Sequence, residues 1–540
     1  MKSFRTCLKG LGTMFRPVRW KIYISIFIGL ARIAASLGFV WICKRLIDIA
    51  TGNVGASLWG NIGLMIAIMS FQLLCNIVAN WWNSYINVKV KNEERYRIFN
   101  HVIRSTWSGR EAFHSGDTIN RLEEDIRVVV DLLCTSFPSV VITFCQLVAA
   151  AFFLLSMAPT LVWILIALMV VAAAGSKMFF KVLRKLSAAI RERESEIQGY
   201  MQENLQNRVV VLTLVGVEKV MTRLGWMQED VVHNTVKRMN YNSVARALMS
   251  LGFMLGYASA FIWGIVGIKE NTVTYGMMTA FLQLVGQIQS PIAQIAQQIP
   301  SFIHSLTSVE RLMELNELKT EEDGEPEKID GAPEIEIKGI TFAYPIQTHK
   351  VLSDFSCVFP SGTMTAVIGH TGAGKSTLIR LILALLKPEK GEILIDGRPA
   401  NARLRCNFMY VPQGNTLMSG TIRENLQLSN SSATEEEMID ALKIAAADFV
   451  LKLPDGLDTV CSERGSGLSE GQAQRIAIAR GLLHTGGVLI LDEATSSVDS
   501  VTEECILKNL NARFHGRKTI IFISHREAVT RSADFILNMD

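Results

Sequence analysis

Apolar residues are spread unevenly along this chain. Before residue 301 they gather into long runs with few charges, and after residue 334 they come as short runs broken by glycine and charged side chains. A helix of about 20 apolar residues crosses the hydrocarbon core of a bilayer. Six segments meet that requirement: Ile22 to Ile42, Leu58 to Trp82, Val130 to Met157, Leu161 to Phe180, Ala245 to Ile268 and Tyr275 to Ile299. Only Ala158-Pro159-Thr160 separates the third from the fourth, which predicts a tight hairpin. Lys and Arg are retained on the cytoplasmic side of such spans. They crowd the N-terminus and the segments Lys89 to Arg127 and Lys177 to Arg238, so both ends of the chain are expected in the cytoplasm, with Lys44 and Arg45 a local exception. The basic N-terminus lacks a short apolar core with a small-residue cleavage site, so it predicts an interfacial helix leading into a retained span.

The two basic loops are long and helical in pattern, so the spans are expected to continue as helices beyond the bilayer. In the first, Phe113-His114-Ser115-Gly116-Asp117 predicts a helix break at Ser115-Gly116 followed by a new capped helix, with room for a short transverse helix at the tip. The second loop, around Gln202 to Arg208, allows the same. Three polar features lie inside the spans. Gln283, Gln287, Gln294 and Gln298 share one face of the sixth, beside a kink expected at Pro291, and Gln72, Asn76 and Asn80 share one face of the second. Each stripe either lines a wet cavity or hydrogen-bonds to a neighbouring helix. Arg32 sits mid-way along the first span, where an unpaired charge costs at least about 2.5 kcal/mol. Of the six segments only the third holds an Asp or Glu, Asp131 beside its first residue, and the middle of the spans offers Arg32 none. Either it meets a negative group on a transported molecule, a lipid phosphate for example, or it snorkels or binds backbone carbonyls.

An acidic stretch from Glu314 to Lys328, with Gly324 and Pro326, reads as a linker. Beyond it the pattern is α/β. Alternating Glu334-Ile335-Glu336-Ile337 predicts an edge strand, and the run Ile340 to Tyr344 ends before Pro345 in an aromatic able to stack on a base. The apolar strand Thr363 to Ile368 runs into Gly369-His370-Thr371-Gly372-Ala373-Gly374-Lys375-Ser376-Thr377, which opens the amphipathic run Leu378 to Leu386. Strand, glycine loop and helix in that order make a phosphate cradle, because backbone N–H groups close around an oxyanion at a helix N-terminus. Lys375 can reach the β- and γ-phosphates of a nucleotide, and Ser376 can hold Mg²⁺. Val488 to Asp492 is a wholly apolar strand delivering two carboxylates, Asp492 suited to Mg²⁺ and Glu493 to a general base. Gln413, after Tyr410-Val411-Pro412, can touch metal or water, and His525, ending the strand Ile520 to Ile523, can bind the γ-phosphate or orient the water. Leu468-Ser469-Glu470-Gly471-Gln472 opens a second helix, with Ser469 as its cap. One nucleotide has no use for two anion-ready helix ends, so this one is expected to serve a nucleotide held by another subunit.

Bulk properties narrow this picture little further. Charged residues make up 19% of the chain and its net charge is +4, too mild to argue for nucleic acid. The nine cysteines are scattered without a C-x-x-C pair, so neither a zinc site nor a disulfide framework is indicated.

Taken together these stretches resemble the ABC transporters, specifically half-size exporters, over nearly the whole chain. Tyr344 stands as the A-loop, Gly369 to Thr377 as Walker A, Gln413 as the Q-loop, Leu468 to Gln472 as the signature and Val488 to Asp492 with Glu493 as Walker B and its catalytic carboxylate. Ser496 to Asp499 resembles the D-loop, His525 the switch histidine and Glu463-Arg464-Gly465 the X-loop. The resemblance implies an all-α six-helix transmembrane domain over residues 1–312, a linker over 313–333 and an α/β P-loop ATPase domain over 334–540. It implies ATP and Mg²⁺ as cofactors, with ATP contacted by Tyr344, by Gly369 to Thr377 and, from the partner, by Ser469, Gly471 and Gln472. The metal would be held by Ser376, Gln413 and Asp492, and Glu493, His525 and Gln413 would be catalytic. A second half-transporter, identical or related, would complete a dimer with ATP sandwiched head to tail. The loop tips near Gly116 and Asn207 would be coupling helices, the second reaching the opposite subunit. The expected protein is a multi-pass one in the cytoplasmic membrane that exports or flips an amphipathic lipid, drug or peptide. An ATP-gated channel or regulator is the alternative, and intact Glu493 and His525 argue against it. Two departures stand out: the signature reads L-S-E-G-Q where L-S-G-G-Q is usual, with function expected to survive, and the chain ends at Asp540, soon after the last recognisable strand, as in a minimal or truncated domain.

Overall fold

A computed structural model describes residues 4–107, 115–157, 159–321, 324–344, 349–461 and 467–540, with side chains except at 4–9, 115–117, 160–162, 164–180, 289–301, 303 and 304. The chain divides into two compact units, Met1–Phe99 with Ile119–Asn316, and Asn100–Thr118 with Glu317–Asp540.

Long helices build the first unit. They are α1 (Phe4–Ala50), α2 (Leu58–Ile103), α3 (Ser115–Asn120), α4 (Ile126–Asp131), α5 (Phe137–Met157), α6 (Pro159–Gln206), α7 (Arg208–Thr213), α8 (Val217–Lys269) and α9 (Tyr275–Asn316). Two π-helical turns, Arg121–Asp125 and Leu132–Ser136, join α3, α4 and α5 without a break. At a rise of 1.5 Å per residue, helices such as α2 and α8 reach roughly 70 to 80 Å, far beyond the membrane core, as the loop pattern predicts. Among the described residues four segments are long and apolar enough to span: Gly10–Ala50, Leu58–Ile103, Thr118–Met157 and Val217–Lys269. The other two predicted spans fall within α6 and α9, where most of the side chains in Leu161 to Phe180, and those from 289 onward in the sixth, lie outside the described set. The basic N-terminal stretch is continuous with the first span in α1 rather than a separate interfacial helix. Pro159 starts α6, where its missing N–H costs no helical bond.

Helices α1, α5, α8 and α9 share a core that includes Val40, Leu154, Ala260 and Phe281. Gly264 lets α8 approach α9, since a β-carbon there would stand 2.8 Å from Met278 Cγ. The buried Arg121 guanidinium donates to Glu314 Oε2 at 2.7 Å and to the Arg311 carbonyl at 3.2 Å, tying the first π-turn to α9. Phe113 and His114, and with them the tip of the first loop, lie outside the described residues; Gly116 itself is already within the helix that runs on to Met157. After Asn207 the short α7 forms the tip of the second loop, with Val209, Leu214 and Val215 exposed.

The second unit contains β1 (Ile335–Phe342), β2 (Leu352–Phe359), β3 (Met364–Ile368), α10 (Lys375–Ile382), β4 (Lys390–Ile395), β5 (Arg398–Pro399), β6 (Phe408–Val411) and β7 (Gly420–Thr421). It continues with α11 (Ile422–Gln427), α12 (Glu435–Ile444), β8 (Val460–Cys461), α13 (Glu470–Leu482), β9 (Val488–Asp492), α14 (Ser500–Phe514), β10 (Thr519–Ile523), α15 (Glu527–Ser532) and β11 (Phe535–Asn538). Five parallel strands run in the order β11-β3-β10-β9-β6, beside an antiparallel sheet β2-β1-β4-β5. The stretch at Glu334 to Ile337 is therefore not an edge strand. Strand β1 pairs with β2 on one side and β4 on the other. Alternation reports which face is buried, here Ile335 and Ile337, and says nothing about how many backbone edges are paired.

Strands β9 and β10 are buried on both faces, as apolar runs in a parallel sheet are. Leu489, Leu491, Ile520 and Phe522 pack into a core that takes in α12, α13 and α14. Val488, Ile490, Ile521 and Ile523 pack into a second core with α10 and the antiparallel sheet. The first-loop segment also belongs to this unit. Thr106 N–H donates to the Lys319 carbonyl at 2.7 Å, Glu321 N–H donates to the Arg104 carbonyl at 3.0 Å, and the Glu321 carboxylate meets Arg405 at 2.5 and 2.9 Å.

Candidate functional site

Four parallel strands, β3, β6, β9 and β10, end at one edge of the sheet, and that edge gathers most of the residues singled out in the sequence. Beyond β3 the loop turns through Gly372 (φ +97°) and Gly374 (φ +95°), a region that favours glycine. Gly374 then caps α10. The buried Lys375 ammonium donates to the carbonyls of Gly369 at 2.6 Å and His370 at 3.0 Å, so it closes the mouth of its own cradle. Thr371 is exposed, Ala373 donates its N–H to the His370 carbonyl at 3.1 Å, and Thr377 is buried at the helix start. His370 is turned aside: its N–H and Nδ1 lie 2.6 and 2.8 Å from Asp540 Oδ1.

Strand β9 delivers Asp492 to this loop. Burial, and then the neighbouring Glu493 charge, push its carboxyl above the usual range, against hydrogen bonds from Tyr410 and Ser376 and the Arg380 charge. The Tyr410 hydroxyl donates to Asp492 Oδ2 at 3.4 Å. A serine hydroxyl and a carboxylate bonded to each other form an oxygen donor pair that suits a hard cation such as Mg²⁺. Among the described residues no cluster of His, Cys, Asp or Glu forms a complete metal site, so such an ion would depend on phosphate oxygens as further ligands.

Glu493 takes a left-handed backbone (φ +48°), which a non-glycine residue holds only against strain. Its N–H donates to the Ile523 carbonyl at 3.1 Å, which fixes the turn to β10. The turn carries the side chain to Gln413, whose Nε2 donates to Glu493 Oε2 at 2.5 Å, and to His525, whose Nε2 lies 3.6 Å from Oε1. Two residues remote from it in sequence thus converge on one carboxylate.

The second helix end is built as expected. Ser469 caps α13: its Oγ accepts from the Gln472 N–H at 3.2 Å, while Gln472 Oε1 accepts the Ser469 N–H at 2.9 Å. Glu470 occupies the first helical turn, where the helix dipole favours a negative charge. Gly471 is required by contact, since a β-carbon there would stand 2.5 Å from the Ser497 carbonyl. Among the described residues no hydrogen bond or ion pair joins Ser469, Gly471 or Gln472 to residues 369–377. Residues 463–465 and Pro345 lie outside the described set.

Tyr344 is half-buried, edge-on to Phe342, with its hydroxyl 3.1 Å from Thr377 Oγ1. Sequence reading overlooked what holds it. Arg380 donates from Nη1 to the Tyr344 hydroxyl at 3.2 Å, and its guanidinium lies 5.0 Å from the ring centre of Trp107. A charge inside the apolar run Leu378 to Leu386 was the available signal. Arg526 was also overlooked. It donates to the Ser496 and Val498 carbonyls at 2.7 Å each and meets the buried Glu503 at 3.1 Å, while Gln474 Oε1 accepts the Ser497 N–H at 3.0 Å. The loop Ser496 to Asp499 is thereby braced by α13 and by the residue next to His525.

Comparison with known proteins agrees with this geometry. A family model described as "ABC transporter transmembrane region" matches residues 22–292, and one described as "ABC transporter" matches residues 352–496. The ATP-dependent lipid A-core flippase of Haemophilus influenzae is 27% identical over 543 residues, covering 98% of this chain and 92% of that protein. The probable multidrug resistance ABC transporter ATP-binding/permease protein YheH of Bacillus subtilis is 30% identical over 468 residues, covering 84% of this chain and 68% of that protein. The solved structure of a bacterial Atm1-family ABC exporter with ATP bound has the same fold, with a TM-score of 0.81 at 23% identity over 97% of this chain and 94% of the other.

Two expectations follow from the site. Because the folded state raises the Asp492 pKa, this group's contribution to stability is greatest below its unfolded value of 3.8 and falls as pH rises through the folded value. Asp492→Asn keeps an acceptor for Tyr410 and removes the buried charge. Its thermal midpoint without nucleotide is expected to exceed wild type by about a few degrees at neutral pH, and the difference to shrink toward pH 4. A scan of melting temperature against pH checks this, and a lower midpoint for Asp492→Asn at neutral pH contradicts it. Arg380→Ala removes the donor that orients Tyr344, a loss of roughly 1 kcal/mol, so KM for ATP should rise about fivefold with kcat little changed. Steady-state kinetics separate this from a general loss of activity.

Proposed function

We propose that this chain, which belongs to the ABC transporters and joins an exporter's transmembrane region to an ATPase domain, works in a dimer of half-transporters that exports or flips an amphipathic substrate. ATP-dependent export is the activity of its class; the finer reading concerns which residues act and on what. The convergence of Gln413 and His525 on Glu493, at the end of the strand that carries Asp492, is the observation that carries it.

On this reading Lys375 leaves the Gly369 and His370 carbonyls to pair with the β- and γ-phosphates, whose charge replaces two neutral acceptors. Ser376 and Asp492 would hold Mg²⁺, which when bound offsets phosphate charge. Glu493 takes the proton of the attacking water, and Gln413 and His525 fix that water and the γ-phosphate. Both are already within reach of the base. Ser469, Gly471 and Gln472 serve the nucleotide of the partner subunit, which fits their separation from the cradle of their own chain. Tyr344 stacks on the base. The exposed Val209, Leu214 and Val215 around α7 are the apolar tip that docks on an ATPase domain. The protein sits in the cytoplasmic membrane with its ATPase domain in the cytoplasm, and the named activities of its relatives favour a lipid or a drug-like amphiphile as cargo.

An ATP-gated channel of the same fold has no use for a poised base. Glu493→Gln keeps the hydrogen bond to Gln413 and removes the base, so steady ATP hydrolysis by the reconstituted protein is expected to fall at least about 100-fold while nucleotide binding persists. A wild-type protein that binds ATP without steady hydrolysis would instead favour the channel.

A further inference from the structure

One face of α1 carries Ser25, Arg32, Ser36 and Cys43, at spacings of seven, four and seven residues that keep all four within about 40° of arc on a helix. Three of them are partnered across the bundle. Ser25 Oγ donates to Asn83 Oδ1 of α2 at 3.3 Å, Gln287 Nε2 of α9 donates to Ser36 Oγ at 3.0 Å, and Cys43 is hydrogen-bonded to Gln283 of α9. Arg32, the only charge in the stripe, has no hydrogen bond or ion pair among the described residues. The strongly exposed apolar residues of α1, Trp20 and Phe27, point elsewhere, Phe27 about 140° from Arg32. The half-buried guanidinium therefore belongs to the polar seam and not to the apolar outer face.

Ten residues, about 15 Å of helix, separate Arg32 from either end of its span, beyond the reach of its side chain. Snorkelling and carbonyl binding, the two bland fates of such a residue, are thus not what the geometry shows. Close by, Gln287 Oε1 is buried without a hydrogen-bond partner among the described residues. The six apolar segments hold a single acidic residue, Asp131, next to the first residue of the third, where Asn87 Nδ2 donates to its Oδ1 at 3.5 Å; the middle of the spans holds none. Within the bundle, then, a fixed cation and an unsatisfied amide oxygen stand along one seam, and among the described residues no acidic side chain pairs with the cation.

We propose that this seam reads an anionic group, phosphate or carboxylate, on the cargo, and that the cargo is an anionic amphiphile whose apolar part brings the charge to mid-membrane. This rests on the exporter reading above and deepens it. Arg32 is the specificity-determining residue, with Ser36 and Gln287 beside it as hydrogen-bonding groups.

The test uses the full chain reconstituted in vesicles of phosphatidylcholine alone and of phosphatidylcholine with phosphatidylglycerol as the minor component. The readout is the ratio of ATP hydrolysis rates between the two. Wild type is expected to give a ratio of severalfold, Arg32→Gln a ratio near unity, and Arg32→Lys a ratio close to wild type. Soluble glycerol phosphate added to phosphatidylcholine vesicles should leave the wild-type rate unchanged, because the charge arrives only with an apolar tail. A wild-type ratio of unity, an Arg32→Gln ratio equal to wild type, an Arg32→Lys ratio as low as that of Arg32→Gln, or full stimulation by glycerol phosphate would each overturn the proposal. Hydrolysis indifferent to phosphatidylglycerol defeats this inference alone, whereas a wild type with no hydrolysis in any vesicle defeats the exporter reading as well.

Discussion

A carboxylate at the end of a strand buried on both faces is the constraint from which the ATPase site is built. Val488 to Leu491 feed two separate cores, so the strand has no freedom to shift, and Asp492 emerges already desolvated. Its charge must be met by what the neighbouring elements can offer there: the Ser376 hydroxyl at the start of α10 and the Tyr410 hydroxyl from β6. The next residue cannot continue the strand. Glu493 turns instead through a left-handed backbone held by the Ile523 carbonyl, and this turn aims its side chain at Gln413 and His525. Strain at one residue is the cost of bringing three catalytic candidates together, and the rigid strands on either side sustain it.

From that edge two sets of contacts run outward. Arg380 connects Tyr344, beside Thr377 at the cradle, to Trp107 in the first-loop segment, so the group expected to meet the base and a residue of the transmembrane half's own loop share one guanidinium. Arg526, next to His525, holds two carbonyls of the Ser496 to Asp499 loop, whose other side is fixed by Gln474 of α13. The γ-phosphate side of the site is thereby joined through the 496–499 loop to α13, whose start faces the partner's nucleotide on the proposed reading. A change at either end has a short path of polar contacts to follow, and each set is centred on a planar guanidinium that can satisfy several acceptors at once.

Motifs that encode local chain geometry were legible in the sequence; features that depend on which elements meet were not. A glycine loop between strand and helix predicts a cradle because the backbone path follows from the glycines, and Ser469 ahead of a helix predicts a cap on the same footing, which Gln472 completes as a capping box. The run Glu334 to Ile337 was read as an edge strand and is interior, because pairing on both edges is decided by β2 and β4, which no alternation within β1 reveals. Arg380 and Arg526 were passed over for a similar reason. Their importance lies in partners at Trp107 and in the 496–499 loop, remote in sequence or reached only by folding. The long helices were foreseen from the lack of breakers in the loops, whereas their seamless π-turns at Arg121–Asp125 and Leu132–Ser136 leave no mark in composition.

Asp492 and Arg32 obey one rule with opposite outcomes. Each is a charge removed from bulk water, and such a charge has to be compensated by fixed dipoles or by an opposite charge. At Asp492 the protein itself supplies two hydroxyls and a guanidinium field, enough to hold the carboxylate in place while leaving it electrostatically unsatisfied, which is the condition for attracting a cation. At Arg32 the surrounding seam pairs the serines and the cysteine of the same helix face, and among the described residues it supplies no partner to the charge. A helix face that satisfies its serines and its cysteine and leaves its arginine free is incomplete in a specific way. What completes it must be negative, must reach the middle of the membrane and must be able to leave again, and a transported anionic amphiphile meets all three conditions where a fixed residue meets only the first two.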